Sequence, residues 1–130
     1  MKRVLWILLL ACTGLMTVSC QNGEKENTPE AATERFIKAY YTGDFAHQYE
    51  YTTKKSDIVI QQIQNGMQNN KELLEKIQKC DVAILDTKIL EQTDSTATCA
   101  CQFTINDEPR TDKWNLIKEE DLWKVTMVMP

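Results

Sequence analysis

The sequence predicts an α+β fold in which helices come first and pack on one face of a four-stranded antiparallel sheet. Two observations carry this expectation. Apolar residues recur at three- and four-residue steps from Thr28 to Ile77, and from Val82 onward they recur at every second residue. The alternating segments are joined by short turn sequences, which favours a meander of sequential hairpins with the helices gathered on one side.

The helical half opens at Thr28-Pro29-Glu30: a threonine suited to cap, a proline at the first helical position and an acid in the first turn. Ala32, Phe36, Ala39 and Tyr40 then share one face, and Gly43 ends the helix. Asp44 caps a second, short helix from Phe45 to about Tyr51, with Phe45 and Tyr49 four apart. Ser56 opens a third stretch, in which Ile60, Ile63, Met67, Leu74 and Ile77 keep helical spacing. Gly66 and Asn69-Asn70 weaken its middle, so it reads as one bent helix or two shorter ones. A break near Asn69, with Asn70 capping the second piece, is favoured. The Gln- and Asn-rich run from Gln61 to Asn70 reads as a solvated face or a partner surface.

The strands follow. Val82 to Glu91 is the first, and Asp94-Ser95 its turn. In the second, Ala97, Cys99, Cys101, Phe103 and Ile105 share one face while Thr96, Thr98, Gln102 and Thr104 share the other. Asn106 to Pro109 reads as a turn, after which Arg110 to Lys118 carries Trp114 and Leu116 on one face. Glu119-Glu120-Asp121 turns the chain again, and Leu122 to Met129 alternates through Trp123, Val125 and Met127.

The beginning of the chain has a different character. Met1-Lys2-Arg3, the apolar run Val4 to Leu10, and the small, mildly apolar residues to Ser19 form the basic and hydrophobic regions of a secretory leader. A spanning helix needs about 20 predominantly apolar residues. Val4 to Val18 is shorter and is interrupted by Thr13, Gly14 and Thr17. Two cysteines compete as the processing and lipidation site. Leu9-Leu10-Ala11-Cys12 fits the lipobox better letter by letter, whereas Thr17-Val18-Ser19-Cys20 lacks the leucine three positions earlier. Position favours Cys20, because cutting at Cys12 would shorten the hydrophobic core and leave an apolar stretch where a soluble tether is expected. The expected organisation is a leader over 1–19, a lipidated Cys20 with a polar tether over 20–27, and a single domain over 28–130. A diacylglyceryl cysteine anchors through more than one acyl chain, so attachment to a lipid bilayer would be effectively permanent. Glu24 and Glu26, soon after the cysteine, hint at export to the outer membrane and its surface, by resemblance to surface lipoproteins.

The chain carries a formal charge of −4, and losing Lys2 and Arg3 with the leader takes it to −6. An acidic protein without a basic stripe is a poor nucleic-acid ligand, and that class is set aside.

The order of elements, together with Ala39-Tyr40-Tyr41-Thr42-Gly43-Asp44-Phe45 and Ile117-Lys118-Glu119-Glu120-Asp121-Leu122-Trp123-Lys124-Val125, resembles the nuclear-transport-factor-2-like domains. Within them it is similar to the uncharacterised, lumazine-binding-like lipoprotein families of Gram-negative bacteria. The resemblance spans residues 28 to 129 and implies a cystatin-like cone, a curved sheet closed by the helices. It departs at Leu122, where those families often show Gly-x-Trp, so Glu120-Asp121 must make the turn. Such cones host isomerases, dehydratases, binding proteins and inert scaffolds, so the resemblance implies a fold and no reaction.

Few residues invite chemistry. Cys80, Cys99 and Cys101 would sit in an oxidising compartment. Cys99 and Cys101 lie two apart on a strand, about 6.5 Å between Cα atoms, which suits a disulfide poorly. Buried free thiols are the favoured reading, with a bridge from Cys80 to either one as the alternative. Neither metal nor cofactor is expected, because the cysteine spacing and a single histidine fall short of a zinc pattern. His47 has no sequence neighbour that reads as the partner a general base needs. Asp112 shares the parity of Trp114 and Leu116, and Tyr40 is the phenol expected across from it. Phe36, Tyr40, Phe103, Asp112 and Trp114 are the candidates for lining a ligand pocket. No catalytic residue is assigned. The leading expectation is a non-enzymatic, membrane-anchored binding or accessory module of the cell envelope, working with an envelope protein partner. A binder of a small apolar or aromatic ligand in the cone is the alternative, and an isomerase- or dehydratase-like enzyme built on Asp112 and Tyr40 comes third.

Overall fold

The computed structural model describes residues 27–128. The leader, Cys20 and the tether before Asn27 lie outside the described residues, as does Met129. Helix α1 (Pro29–Tyr41) starts as its sequence dictates: Thr28 stays extended, and its hydroxyl accepts from the Ala31 N–H at 3.1 Å. Gly43 follows the helix at φ +68°, in the left-handed region that glycine enters without steric cost. Asp44 caps α2 (Phe45–Tyr51). A 3₁₀ turn (Lys54–Ser56) leads into α3 (Asp57–Gln68), and Asn70 caps α4 (Lys71–Gln78) by accepting from the Leu73 N–H at 3.2 Å. The long helical stretch is therefore two helices, separated at the asparagine pair. Ser56 holds the N-cap position of α3, but its side chain makes no cap hydrogen bond. Its hydroxyl pairs with that of Thr53 at 2.8 Å and accepts from the Met127 N–H at 2.9 Å, tying the 3₁₀ turn to the end of the sheet.

Strands β1 (Val82–Gln92), β2 (Thr96–Ile105), β3 (Glu108–Glu119) and β4 (Leu122–Thr126) form an antiparallel meander in sequence order. The β2–β3 turn is only Asn106-Asp107, at φ 50° and 69°, and the β3–β4 turn is Glu120-Asp121, at φ 53° and 64°. Two successive left-handed residues match the twist of the flanking strands, and Asn and Asp tolerate that conformation. The second turn falls where the sequence places it. The first is shorter than the expected four residues, so Glu108 and Pro109 belong to β3, with Pro109 opposite Thr104. Proline is tolerated there because β4 pairs only with Asn115–Glu119, which leaves the other edge of β3 open at this height. The last strand is also shorter than expected and ends at Thr126.

The inner face of the sheet carries Ala97, Cys99, Cys101, Phe103, Leu116, Trp123 and Val125, all buried against Ala32, Phe36 and Ile37 of α1. Helix α1 lies across this face and touches all four strands. Two register breaks in β1, between Ile84 and Asp86 and between Ile89 and Glu91, leave Leu85 and Leu90 as the extra residues, 62 % and 49 % exposed. Bulges of this kind bend a strand and discourage pairing at an open edge. The β4 edge is covered instead by Thr52 and Thr53, the latter donating its N–H to the Val125 carbonyl at 3.0 Å.

The domain has two distinct ends. At one, the Trp123 N–H donates to the Asn27 side-chain oxygen at 2.7 Å, the Lys118 N–H to the Ser95 carbonyl at 2.8 Å, and the Lys54 N–H to the Glu119 carboxylate. These bonds gather the start of α1, the 3₁₀ turn and the β1–β2 and β3–β4 turns. At the other end, Asp81 and Asn106 exchange two hydrogen bonds of 2.9 Å, and Gly43 lies under Leu74 and Ile77 of α4. Among the described residues no helix is long and apolar enough to cross a membrane.

Candidate functional site

The end marked by Gly43 and Asn106 holds the polar groups with the most to say about function. Tyr41 closes α1, and its phenol donates a hydrogen bond to the Asp112 carboxylate on the inner face of β3. Arg110, two residues earlier on the same face, lies 4.9 Å from the centre of the Tyr41 ring, with Nη2 3.5 Å from its hydroxyl. Phe103 packs on the ring from below, at 5.2 Å between centroids. Partial burial of the ring, then the hydrogen bond to Asp112 and its negative charge, push the Tyr41 hydroxyl well above the ordinary phenol range; Arg110 opposes them. At neutral pH this phenol is a donor and not a base.

The sequence reading placed Asp112 on the right face and paired it with the wrong phenol. Tyr40 turns the other way, stacking on Phe36 at 5.3 Å and meeting Trp114 edge-on at 5.7 Å. One residue along a helix rotates the side chain by about 100°, so Tyr40 meets the Tyr41 ring edge-on at 5.0 Å while the Tyr41 hydroxyl is the one that reaches Asp112. Phe36, Tyr40, Phe103 and Trp114 are brought together, but as packing: Phe36 and Phe103 are fully buried, and Trp114 sits edge-on to Phe36 at 4.7 Å. The expected apolar pocket is filled by its own candidate lining. Neither these four residues nor Asp112 border the concavities described below. The Trp114 indole nitrogen is buried without a hydrogen-bond partner among the described residues.

A groove of about 480 Å³ lies outside the cone, over the C-terminal half of α1, walled by α2 on one side and the start of β1 on the other. Lys38, Thr42, Asp44, His47, Cys80 and Asp81 are among the residues that border it. Asp44 serves two purposes here. One carboxylate oxygen accepts the His47 N–H of the helix cap at 3.3 Å, and the other lies 2.6 Å from Nδ1 of the same imidazole. His47 therefore has an oriented partner three residues away, contrary to the sequence reading, and its ring also stacks on Tyr51 at 5.8 Å. The signal was present as Asp-x-x-His across a helix start, where the cap brings the two side chains to one side. The groove offers both charge signs and several hydrogen-bonding groups, and its volume falls in the range of small-ligand sites.

The three cysteines among the described residues are free. Cys99 and Cys101 are buried on the inner face of β2, and burial raises both thiols above their ordinary range. They pack as small apolar side chains. Cys80 is half-buried at the groove, its thiol directed to the Lys76 carbonyl at 3.4 Å and approached by the Asn106 amide at 3.7 Å. Among the described residues no group of three His, Cys, Asp or Glu side chains is placed to hold a metal.

A second, smaller concavity of about 190 Å³ adjoins the groove, sharing Arg35 and Tyr51 with it and extending toward the opposite end, where Asn27, Leu122, Trp123 and Lys124 border it.

Comparison with known proteins agrees with this architecture. The model of a family described as Domain of unknown function (DUF4878) matches residues 18–126. Among solved structures, a Campylobacter jejuni protein provisionally named an NTF2-like transpeptidase aligns over 78 % of this chain and 99 % of its own. The alignment has a TM-score of 0.52 and 18 % identity. No protein of curated function matches the chain.

Proposed function

We propose, from the premise that the chain belongs to the DUF4878 family and has the NTF2-like fold, that it is a lipoprotein whose cone is a non-enzymatic binding module of the cell envelope. The observation that carries this reading is the order of parts. A basic and apolar leader runs to Cys20, a charged tether follows, and the cone begins at once, with its first described residue fastened to β4. At 18 % identity the Campylobacter likeness carries the fold and nothing of the activity in that protein's name.

The geometry favours binding over catalysis because Asp112, the carboxylate beside the phenol on the inner face, is already engaged. Asp112 accepts the Tyr41 phenol, with Arg110 beside it, and none of the three opens onto the groove. A base for proton abstraction needs its lone pair directed at a substrate. We read the cluster as a structural clasp between α1 and β3. The groove is where an envelope protein partner or a small ligand would sit, and the walls around Asp44, His47 and Asp81 suit a polar ligand better than the apolar one first expected.

Two measurements test the reading. Cys20→Ala should move the protein from the membrane fraction to the soluble one and abolish incorporation of labelled palmitate. Retention of both would place the anchor elsewhere. Native mass spectrometry of residues 21–130 then separates ligand from partner. A stoichiometric extra mass that is lost on denaturation supports a small ligand, and a clean mass directs the search to cross-linked envelope proteins.

A further inference from the structure

We infer that the end of the domain formed by the β3–β4 turn faces the phospholipid bilayer, with the Leu122 side chain entering its interface, so that the groove points away from the membrane. The inference rests on lipidation at Cys20 and adds an orientation to it.

Three observations converge. The first is reach. Cys20 lies seven residues before Asn27, so a fully extended tether spans about 25 Å at most, and a flexible one averages about 15 Å. A domain of this size is roughly 33 Å across. The second is where the tether joins the fold. The Asn27 side chain is held by the Trp123 N–H at 2.7 Å, beside the β3–β4 turn, and α1 then runs away from that point for thirteen residues, or about 20 Å. Gly43 and α4 therefore lie about 20 Å from the root of the tether, farther than its average span, and the groove runs toward them from Arg35 and Tyr51.

The third is Leu122 itself. It is a leucine 44 % exposed immediately after the Glu120-Asp121 turn, next to the root of the tether. An interfacial membrane site would take this apolar side chain out of water. Charge does not provide the contact. Lys54, Lys55, Lys118 and Lys124 at this end are matched by Glu50, Glu119, Glu120 and Asp121, and the backbone N–H of Lys54 is bonded to the Glu119 carboxylate. Docking should therefore be indifferent to lipid charge and to salt, unlike the attachment of a basic surface patch.

The test uses the mature lipidated protein on phosphatidylcholine vesicles with brominated acyl chains. Leu122→Trp is compared with Leu73→Trp, a leucine of similar exposure, 42 %, on α4 at the far end. Both sites are exposed, so both variants should fold. Emission of Leu122→Trp, corrected for the parental tryptophans, should be quenched about twofold more than that of Leu73→Trp, as suits an indole about 5–10 Å into the interface. Adding anionic lipid or raising salt should leave the difference unchanged. Equal quenching on vesicles that still carry the protein would overturn the orientation and leave the anchor intact. Failure of the lipidated protein to float with vesicles would remove the anchor and the inference together.

Discussion

Replacing Gly43 with Ala should destabilise the domain, and replacing Gly66 with Ala should stabilise it. Gly43 sits at φ +68°, and a Cβ there would meet Leu74 Cδ1 at 3.2 Å and Ile77 Cγ2 at 3.4 Å. The left-handed conformation costs a non-glycine residue about 1–2 kcal/mol. The contacts are tight enough that the half-buried Leu74 must shift, at roughly 0.5 kcal/mol more. A total of about 2 kcal/mol corresponds to a fall in Tm of about 10 °C for a domain of about 100 residues. Gly66 lies inside α3, and a methyl group added there would meet nothing within 4 Å. There alanine restricts the unfolded chain and suits the helix, a gain of about 0.5–1 kcal/mol. Thermal and urea unfolding of the two variants reads the difference directly, and Gly43→Asn separates its causes. Asparagine tolerates the left-handed region but carries the same Cβ, so recovery in that variant assigns the loss to φ and persistence assigns it to α4. A Gly43→Ala variant within about 0.5 kcal/mol of the parent would refute the account of how α1 ends and α4 docks.

The Tyr41 phenol is held above its unfolded value, so its contribution is fully present below pH 10 and is lost as pH rises through the unfolded and then the folded value. Urea unfolding from pH 8 to 11 should therefore show a steeper alkaline loss in the parent than in Tyr41→Phe. The ceiling is about 1.4 kcal/mol per pH unit, lowered by solvent screening at this partly exposed site, and parallel curves would argue against the clasp. Phe103→Ala removes a fully buried ring packed against Tyr41 and should cost about 3–5 kcal/mol by urea denaturation; a loss under 1 kcal/mol would mean the inner face is not the core. Alkylation at neutral pH followed by peptide mass mapping should label Cys80 and spare Cys99 and Cys101 until the fold is opened. Equal labelling of the three would contradict the packing of β2.

What the sequence made legible was whatever depended on neighbours along the chain. The caps at Thr28, Asp44 and Asn70, the break at Asn69, and the turn at Glu120-Asp121 each follow from a few adjacent residues, and each stands in the structure. The inner-face parity of Cys99, Cys101, Phe103, Trp114 and Leu116 is local in the same sense, because alternation assigns a face without knowing what covers it. Contacts between distant segments were not legible. Tyr41 in place of Tyr40 against Asp112 turns on the rotation of α1 over the sheet, a tertiary quantity that a shared apolar stripe leaves open. The groove draws on α1, α2 and the chain before β1, segments separated by as many as 47 positions between Arg35 and Val82. The bulges at Leu85 and Leu90 hid within a strand in which the pairs Ile84-Leu85 and Ile89-Leu90 blur the alternation.

The two ends of the domain give these pieces a common logic. With the anchor proposed at Cys20, a short tether would hold one end of the cone near its point of attachment and leave the opposite end to meet the surrounding compartment. The polar side chains of Lys38, Asp81 and the exposed Asp44–His47 pair border the groove toward that end. The turn that carries the exposed Leu122 is at the end where Asn27 meets β4. An anchored catalyst could place its site on any accessible face, but a module that hands its surface to a partner gains from presenting that surface away from the lipid. Lengthening the tether with flexible residues after Asn22 should therefore leave groove binding unchanged, while weakening the orientation read by Leu122→Trp quenching. A loss of groove binding on lengthening would instead mean that the membrane itself forms part of the site.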